Sequence, residues 1–360
     1  MHFCFLTIGT FSENAMMKRV KGLAPHIAAA GHDVIIVAQN TDENREYFST
    51  VEAEKKFFSS SGLLQEIRQK ARVIWKRRPD VVYACGWGLR NLPALLGNIA
   101  VVEHAELLSS FPAHERGILL RLKDYLLEWG SLMGSDGFVL ASGYLYHIYD
   151  RRDLLGIVDK LRLPYGLHLD GRSTDRSNKS KGKVSRILYM GSLYASYGIF
   201  DIVDAAAHVS KTEEPAEFVI LGDGPGRAQA IERARRLDIG DHIQFEGYVD
   251  EEVLGEHLSA ADVFLAPMFD TVKDKARCPS KIPMYMRYQR PIVTCRIGEV
   301  PAYLGENGFY FRPGNPESMA RQILRAIRSP RPIEYDLQEV SWKNLTDRFL
   351  SWVENKVKKE

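Results

Sequence analysis

Cysteine is scarce in this chain. Four occur in 360 residues, at Cys4, Cys85, Cys278 and Cys295. They form no C-x-x-C pair, so neither a disulfide framework nor a thiolate zinc site is expected. This usage suits a reducing compartment, and the expected location is cytoplasmic. Long apolar runs are absent as well. Nothing approaches the ~20 residues of a membrane span, and no charged stretch leading into an apolar one marks a signal peptide. Contact with a membrane is therefore expected only as peripheral contact with its inner face. Net charge is also small. Lys and Arg number 48 against 46 Asp and Glu, which leaves +2, so no nucleic-acid partner is expected. No His, Cys or carboxylate cluster has metal-ligand spacing, and neither metal nor cofactor is expected.

What is present is ordinary globular composition, 45% hydrophobic and 26% charged. The length exceeds one core and suits two domains of ~170 residues each. Short apolar runs alternate with helical patterns, which implies parallel α/β sheets covered on both faces. The first set has strands at 3–7, 34–38, 81–85, 99–102 and 138–141. A helix is expected at 13–30, with Met16, Met17, Val20, Leu23, Ala24 and Ile27 at helical spacing. Pro25 should kink or end it, and Gly31 is a C-cap signal. Residues 171–183 (GRSTDRSNKSKGK) carry no large apolar side chain and read as a linker. The second set has strands at 186–190, 218–221, 242–245, 263–266, 291–294 and 309–311. These boundaries give a first domain at 1–170 and a second at 184–335. A closing helix lies in 336–360. Its stripe of Trp342, Leu345, Phe349, Trp352 and Val353 needs a partner surface.

Candidate site residues collect at strand ends, where open α/β sheets bind ligands. Cys278-Pro279-Ser280-Lys281 opens a helix after the strand at 263–266. Proline suits the first helical turn. The bare N–H groups there, with the charge of Lys281 and Arg277, make an anion site fit for a diphosphate. Gly222-Asp223-Gly224-Pro225-Gly226 follows another strand and opens a helix. Its G-x-G-x-G spacing differs from the dinucleotide fingerprint, which argues against an NAD site. Gly191 and Ser192 end the first strand of the second set. In the first set His104 ends the strand at 99–102 and could position a hydroxyl or stabilise charge. Its neighbours Glu103 and Glu106 read as rim charges. Glu299 could hold a sugar hydroxyl or cap the helix near Pro301. Lys76-Arg77-Arg78 reads as a solvated helix end that could also touch anionic lipid.

Several segments together resemble the retaining glycosyltransferases of family 4. They are Gly31-His32-Asp33-Val34, Pro79-Asp80-Val81-Val82, Tyr189-Met190-Gly191-Ser192-Leu193 and Leu221-Gly222-Asp223-Gly224-Pro225. Phe245-Glu246-Gly247-Tyr248-Val249, 279–293 and 308–320 complete the set. The resemblance implies a GT-B fold, two Rossmann-like domains facing each other across a cleft, with the last helix crossing back to the first domain. It implies transfer from a nucleotide-diphosphate sugar, of the UDP or GDP type, to a saccharide or lipid-linked acceptor, without a metal. The departing phosphate oxygen would activate the acceptor. Donor contacts would come from Gly191, Ser192, Gly222, Gly224, Tyr248, Arg277, Ser280, Lys281 and Met284, and catalytic contacts from His104 and Glu299.

The chain also departs from that family. Ser192 stands where Arg is usual and Tyr197 where Lys is usual. Ala276 and Met284 stand in place of the paired Glu. Asp270 or Asp274 could substitute for the carboxylates, and Arg277 and Lys281 for the cations. Two readings follow: a transferase in polysaccharide or glycolipid synthesis, or a non-catalytic GT-B binding or partner subunit. A sugar-nucleotide epimerase would need a carboxylate pair that the sequence does not supply.

Overall fold

A computed structural model describes residues 1–11, 16–59, 62–111, 117–169, 184–329 and 333–358. The expected linker at 171–183 and the expected start of the first helix at residues 13–15 lie outside the described residues. The chain divides into two compact units. The first comprises Met1–Leu169, Lys275–Cys278 and Gln338–Glu360, and the second Asp170–Asp274 and Pro279–Leu337.

Unit 1 alternates β1 (His2–Leu6), α1 (Met17–Ala29), β2 (Asp33–Gln39), α2 (Asp42–Tyr47), β3 (Glu54–Phe58), α3 (Leu63–Arg77) and β4 (Val81–Ala84). A 3-10 segment, Leu89–Leu96, leads to β5 (Ile99–His104), α4 (Ile118–Ser131), β6 (Gly137–Leu140), α5 (Gly143–Arg152) and β7 (Asp159–Arg162). Among the described residues these strands form one parallel sheet in the order β3-β2-β1-β4-β5-β6-β7. Its central strands are apolar along their length because both faces are covered. Right-handed crossovers put α1 and α2 on one face, and α3, the 3-10 segment, α4 and α5 on the other.

Three expectations change here. A strand at β3 was not foreseen, since Glu54-Lys55-Lys56 hides it; lysine-rich edges are how sheets avoid further pairing. Pro25 does not end α1, which runs on to Ala29. Burial of Val20, Leu23, Ala24 and Ile27 outweighs the ~3 kcal/mol that an interior proline costs. Glu103 is not a rim charge. It lies in the core, paired with Arg19 at 2.8 Å, with neither side chain exposed.

The apolar stripe on α13 (Trp342–Val357) finds its partner within unit 1. Trp342 lies so close to Gly22 of α1 that a Cβ there would meet its ring at 2.2 Å. Phe349 sits 6.1 Å from Phe3, ring to ring.

Unit 2 runs β8 (Ser185–Met190), α6 (Ile199–Val209), β9 (Ala216–Leu221), α7 (Arg227–Arg236), β10 (Ile243–Gly247), α8 (Glu251–Ala260) and β11 (Val263–Ala266). There follow α9 (Val272–Ala276), whose last two residues fall in unit 1, α10 (Lys281–Met286), β12 (Ile292–Thr294), α11 (Val300–Leu304), β13 (Phe309–Tyr310) and α12 (Pro316–Ile327). Its described strands are parallel in the order β10-β9-β8-β11-β12-β13. Strand order therefore reverses between β8 and β11. At such a switch point the loops beyond two neighbouring strands diverge and leave a crevice for a ligand.

Candidate active site

The switch point of unit 2 is lined from both sides. Gly191 follows β8, and α10 lies in the crossover that follows β11. The Lys281 ammonium rests 4.4 Å from the centre of the Tyr189 ring. A side chain at position 191 would meet that ammonium at 2.7 Å, so only glycine leaves it in place. Tyr189 in turn donates its hydroxyl to the Ser192 carbonyl at 3.1 Å. The Met190 N–H donates to the Tyr285 hydroxyl at 3.1 Å, tying the end of β8 to α10. Tyr285 stacks on Phe264 of β11 at 4.4 Å. Lys281 is thus placed by buried aromatic side chains rather than left to solvent.

The neighbouring turn is built on glycines that flank the exposed Asp223. Gly222 has φ 118°, and a Cβ there would sit 2.1 Å from the Gly191 carbonyl oxygen. Its N–H donates to the Gly247 carbonyl at 2.6 Å, and the Leu193 N–H to the Asp223 carbonyl at 2.9 Å. The Gly224 N–H donates to the Asp223 carboxylate. These bonds lock the β8, β9 and β10 ends into one shelf. Lysine charge beside the Cβ-free positions Gly191, Gly222 and Gly224 can accommodate an anionic group close to the backbone.

The other expected residues divide. Ser192 is exposed beside the shelf, and Met284 is half-buried on α10. Ser280 is the N-cap of α10, so Pro279 precedes the helix rather than opening it. The helix has six residues, so its dipole is short and Lys281 is the main charge. Tyr248 is largely exposed past β10. Glu299 is buried at the N-cap of α11, and its side chain does not cap that helix. Asp274 is buried, and its carboxylate accepts the Phe269 N–H at 2.6 Å; it shapes the loop. Arg277 is half-buried and falls in the Lys275–Cys278 segment of unit 1. Two contributors were not anticipated. Tyr189 shares its strand face with position 191, a period-two signal that could have found it. Lys273 lies 5.4 Å from the Tyr197 ring, which no local pattern marks.

His104 lies inside unit 1. Its Nδ1 faces the Tyr149 hydroxyl at 2.9 Å and its Nε2 the Ser131 hydroxyl at 3.1 Å. Ser131 spends its own proton on the Glu128 carbonyl, so Nε2 carries the histidine proton and Nδ1 accepts. Burial, with a smaller effect of Arg152, pushes its pKa down to about 3. A neutral, buried imidazole with both nitrogens engaged is not the accessible acid–base group that the strand end suggested. The sign for stability follows. His104 stays neutral in the folded chain and gains a proton on unfolding below about pH 6.5. Stability is therefore full above that pH and is lost as pH falls toward about 3, at ~1.4 kcal/mol per unit. His104→Gln, which keeps a donor and an acceptor, is expected to remove this slope. Urea titrations at pH 7 and pH 5 read it as an extra loss of ~2 kcal/mol in the wild type alone. Equal losses in both proteins contradict it.

Among the described residues no three His, Cys, Asp or Glu side chains are placed to hold a metal ion.

Two Rossmann-like parallel sheets in one chain are the GT-B architecture, and solved structures agree. The chain is similar in fold to sucrose-phosphate synthase from Thermosynechococcus elongatus, with a TM-score of 0.74 at 16% identity, covering 100% of both chains. It is also similar to HepE of Anabaena, solved in complex with UDP-glucose, with a TM-score of 0.68 at 13% identity, covering 97% of this chain and 94% of that one. Residues 184–329 match the family of glycosyl transferases group 1. The chain is also 23% identical over 146 residues to alpha-D-kanosaminyltransferase of Streptomyces kanamyceticus, which is 40% of this chain and 36% of that protein. The alignment thus spans little more than a third of that relative.

Proposed function

We propose that the chain is a retaining glycosyltransferase. It moves a sugar from a nucleotide-diphosphate sugar to a saccharide or lipid-linked acceptor, in polysaccharide or glycolipid synthesis. The observation that carries this is Lys281, held over Tyr189 beside Gly191 at the unit 2 switch point. The diphosphate lies on the Gly191–Gly222–Gly224 shelf, and Lys281 offsets the charge that grows on it as the sugar leaves. Lys273 beside Tyr197 supplies a second cation where the family usually has Lys. The departing phosphate oxygen takes the acceptor proton, so no side chain is needed as base, and His104 is assigned none. Relatedness of fold to a protein solved with UDP-glucose supports a UDP donor.

Charge neutralisation by lysine leaves no role for a metal. Turnover, followed as release of nucleoside diphosphate from a panel of UDP- and GDP-sugars, is expected to survive EDTA. Loss on chelation that Mg2+ or Mn2+ restores contradicts this. A second reading draws on Ala276, fully buried where a ribose-binding Glu is usual, and on apolar Met284. These suit a GT-B protein that binds a nucleotide or partner without transfer. Nucleotide binding without sugar release from any donor would favour it.

A further inference from the structure

α4 is built inside out. Its buried side presents Asp124, Glu128 and Ser131. Its outer pole, half a turn away, presents Leu119, Leu122 and Leu126, at 82%, 55% and 62% exposure, and Met133 just beyond the helix at 92%. The inward carboxylate has a reason to be there. Glu128 accepts from the Ser109 N–H and hydroxyl and from Arg152. A helix with satisfied polar groups inside and leucines outside reverses the pattern of a helix that faces water.

The apolar surface extends across the same layer. Leu95 of the 3-10 segment lies against Gly134, after α4, and Leu92 and Leu96 are exposed beside it. On α3, Leu64 and Trp75 are exposed at 70% and 78%. Between them on the same outer stripe stand Arg68 and Arg72, both exposed. The carboxylates of these two helices are buried, one of them, Glu66, beside the buried Lys70, and their exposed charges are basic. Glu66, Asp124 and Glu128 are buried, while Arg68, Arg72, Lys76 and Lys123 are exposed.

We infer that this face of unit 1 docks on an anionic lipid surface. Leucine and methionine at the outer pole, tryptophan at the rim and basic side chains as the exposed charges of α3 and α4 are what an interfacial helix presents to lipid headgroups. α4, at 14 residues, is ~21 Å long, enough to lie in the headgroup plane. A second copy of the chain fits less well, because a two-fold contact sets each patch against itself and so basic charge against basic charge. The inference stands apart from the transferase reading, since lipid binding is measured without turnover.

The test is sedimentation of the full chain with vesicles of phosphatidylcholine alone, and with vesicles half phosphatidylglycerol. Binding to the anionic vesicles is expected, weakened by salt. Leu122→Ser with Leu126→Ser should cut it about tenfold per leucine, with an unchanged melting curve because both side chains are exposed. Arg68→Gln with Arg72→Gln should cut it about fivefold per charge. Failure to bind anionic vesicles, or binding unaffected by the leucine pair, overturns the inference. So does a dimer in solution that the leucine pair dissolves while vesicle binding is absent.

Discussion

Replacing Lys281 by alanine is expected to weaken binding of a nucleoside diphosphate by about ten- to a hundredfold, and of the bare nucleoside far less. The asymmetry follows from geometry. The Lys281 ammonium lies beside the glycine shelf, half-buried and supported by Tyr189. In that setting a charge-assisted contact to phosphate contributes ~1.5–3 kcal/mol, whereas base and ribose do not use the charge. Met284→Glu is the companion variant. Met284 is half-buried rather than core, so a carboxylate there should be tolerated and could bond ribose hydroxyls. Tighter nucleoside binding in Met284→Glu is the expected result. Calorimetry with nucleoside and nucleoside diphosphate separates the two contributions. Unchanged diphosphate affinity in Lys281→Ala would remove α10 from the donor site.

The largest stability effect is expected at Arg19. Its guanidinium donates to Glu103 at 2.8 Å and to the Pro164 carbonyl at 3.1 Å, and lies 4.7 Å from the Tyr165 ring. Glu103 also accepts the Tyr83 hydroxyl at 2.9 Å. Arg19→Met strands the Glu103 carboxylate in the core, where burial already pushes its pKa up. A loss of ~3–5 kcal/mol is expected. Pairing it with Glu103→Leu removes both charges and should recover most of the loss, since an apolar pair carries no desolvation penalty. Urea unfolding at neutral pH reads both. A single variant as stable as the wild type would show that the pair is not the buried contact described.

The parts that could be read from sequence were those with a local cause. Apolar runs such as Phe264-Leu265-Ala266 become strands because a doubly covered strand must be apolar along its length. The stripe from Trp342 to Val353 marked α13 for the same kind of reason. Glycine clusters at Gly191 and Gly222 pointed to the strand ends now seen at the switch point. What escaped reading depends on distant partners. Glu103 looked like a rim charge because Arg19 is 84 positions away. His104 looked accessible because Ser131 and Tyr149 close over it only after α4 and α5 pack. Pro25 looked like a breaker because the burial of α1 is tertiary. The inverted polarity of α4 is visible only once its buried side is known.

The central claim is that unit 2 holds a nucleotide-diphosphate sugar at the Gly191–Lys281 shelf. A thermal-shift panel of UDP, GDP, ADP and their sugars on the full chain tests it most directly. One or more diphosphates should stabilise the chain by ~2.7 kcal/mol at a hundred times the dissociation constant, with that shift lost in Lys281→Ala. A flat response to every nucleotide in the wild type would contradict the claim.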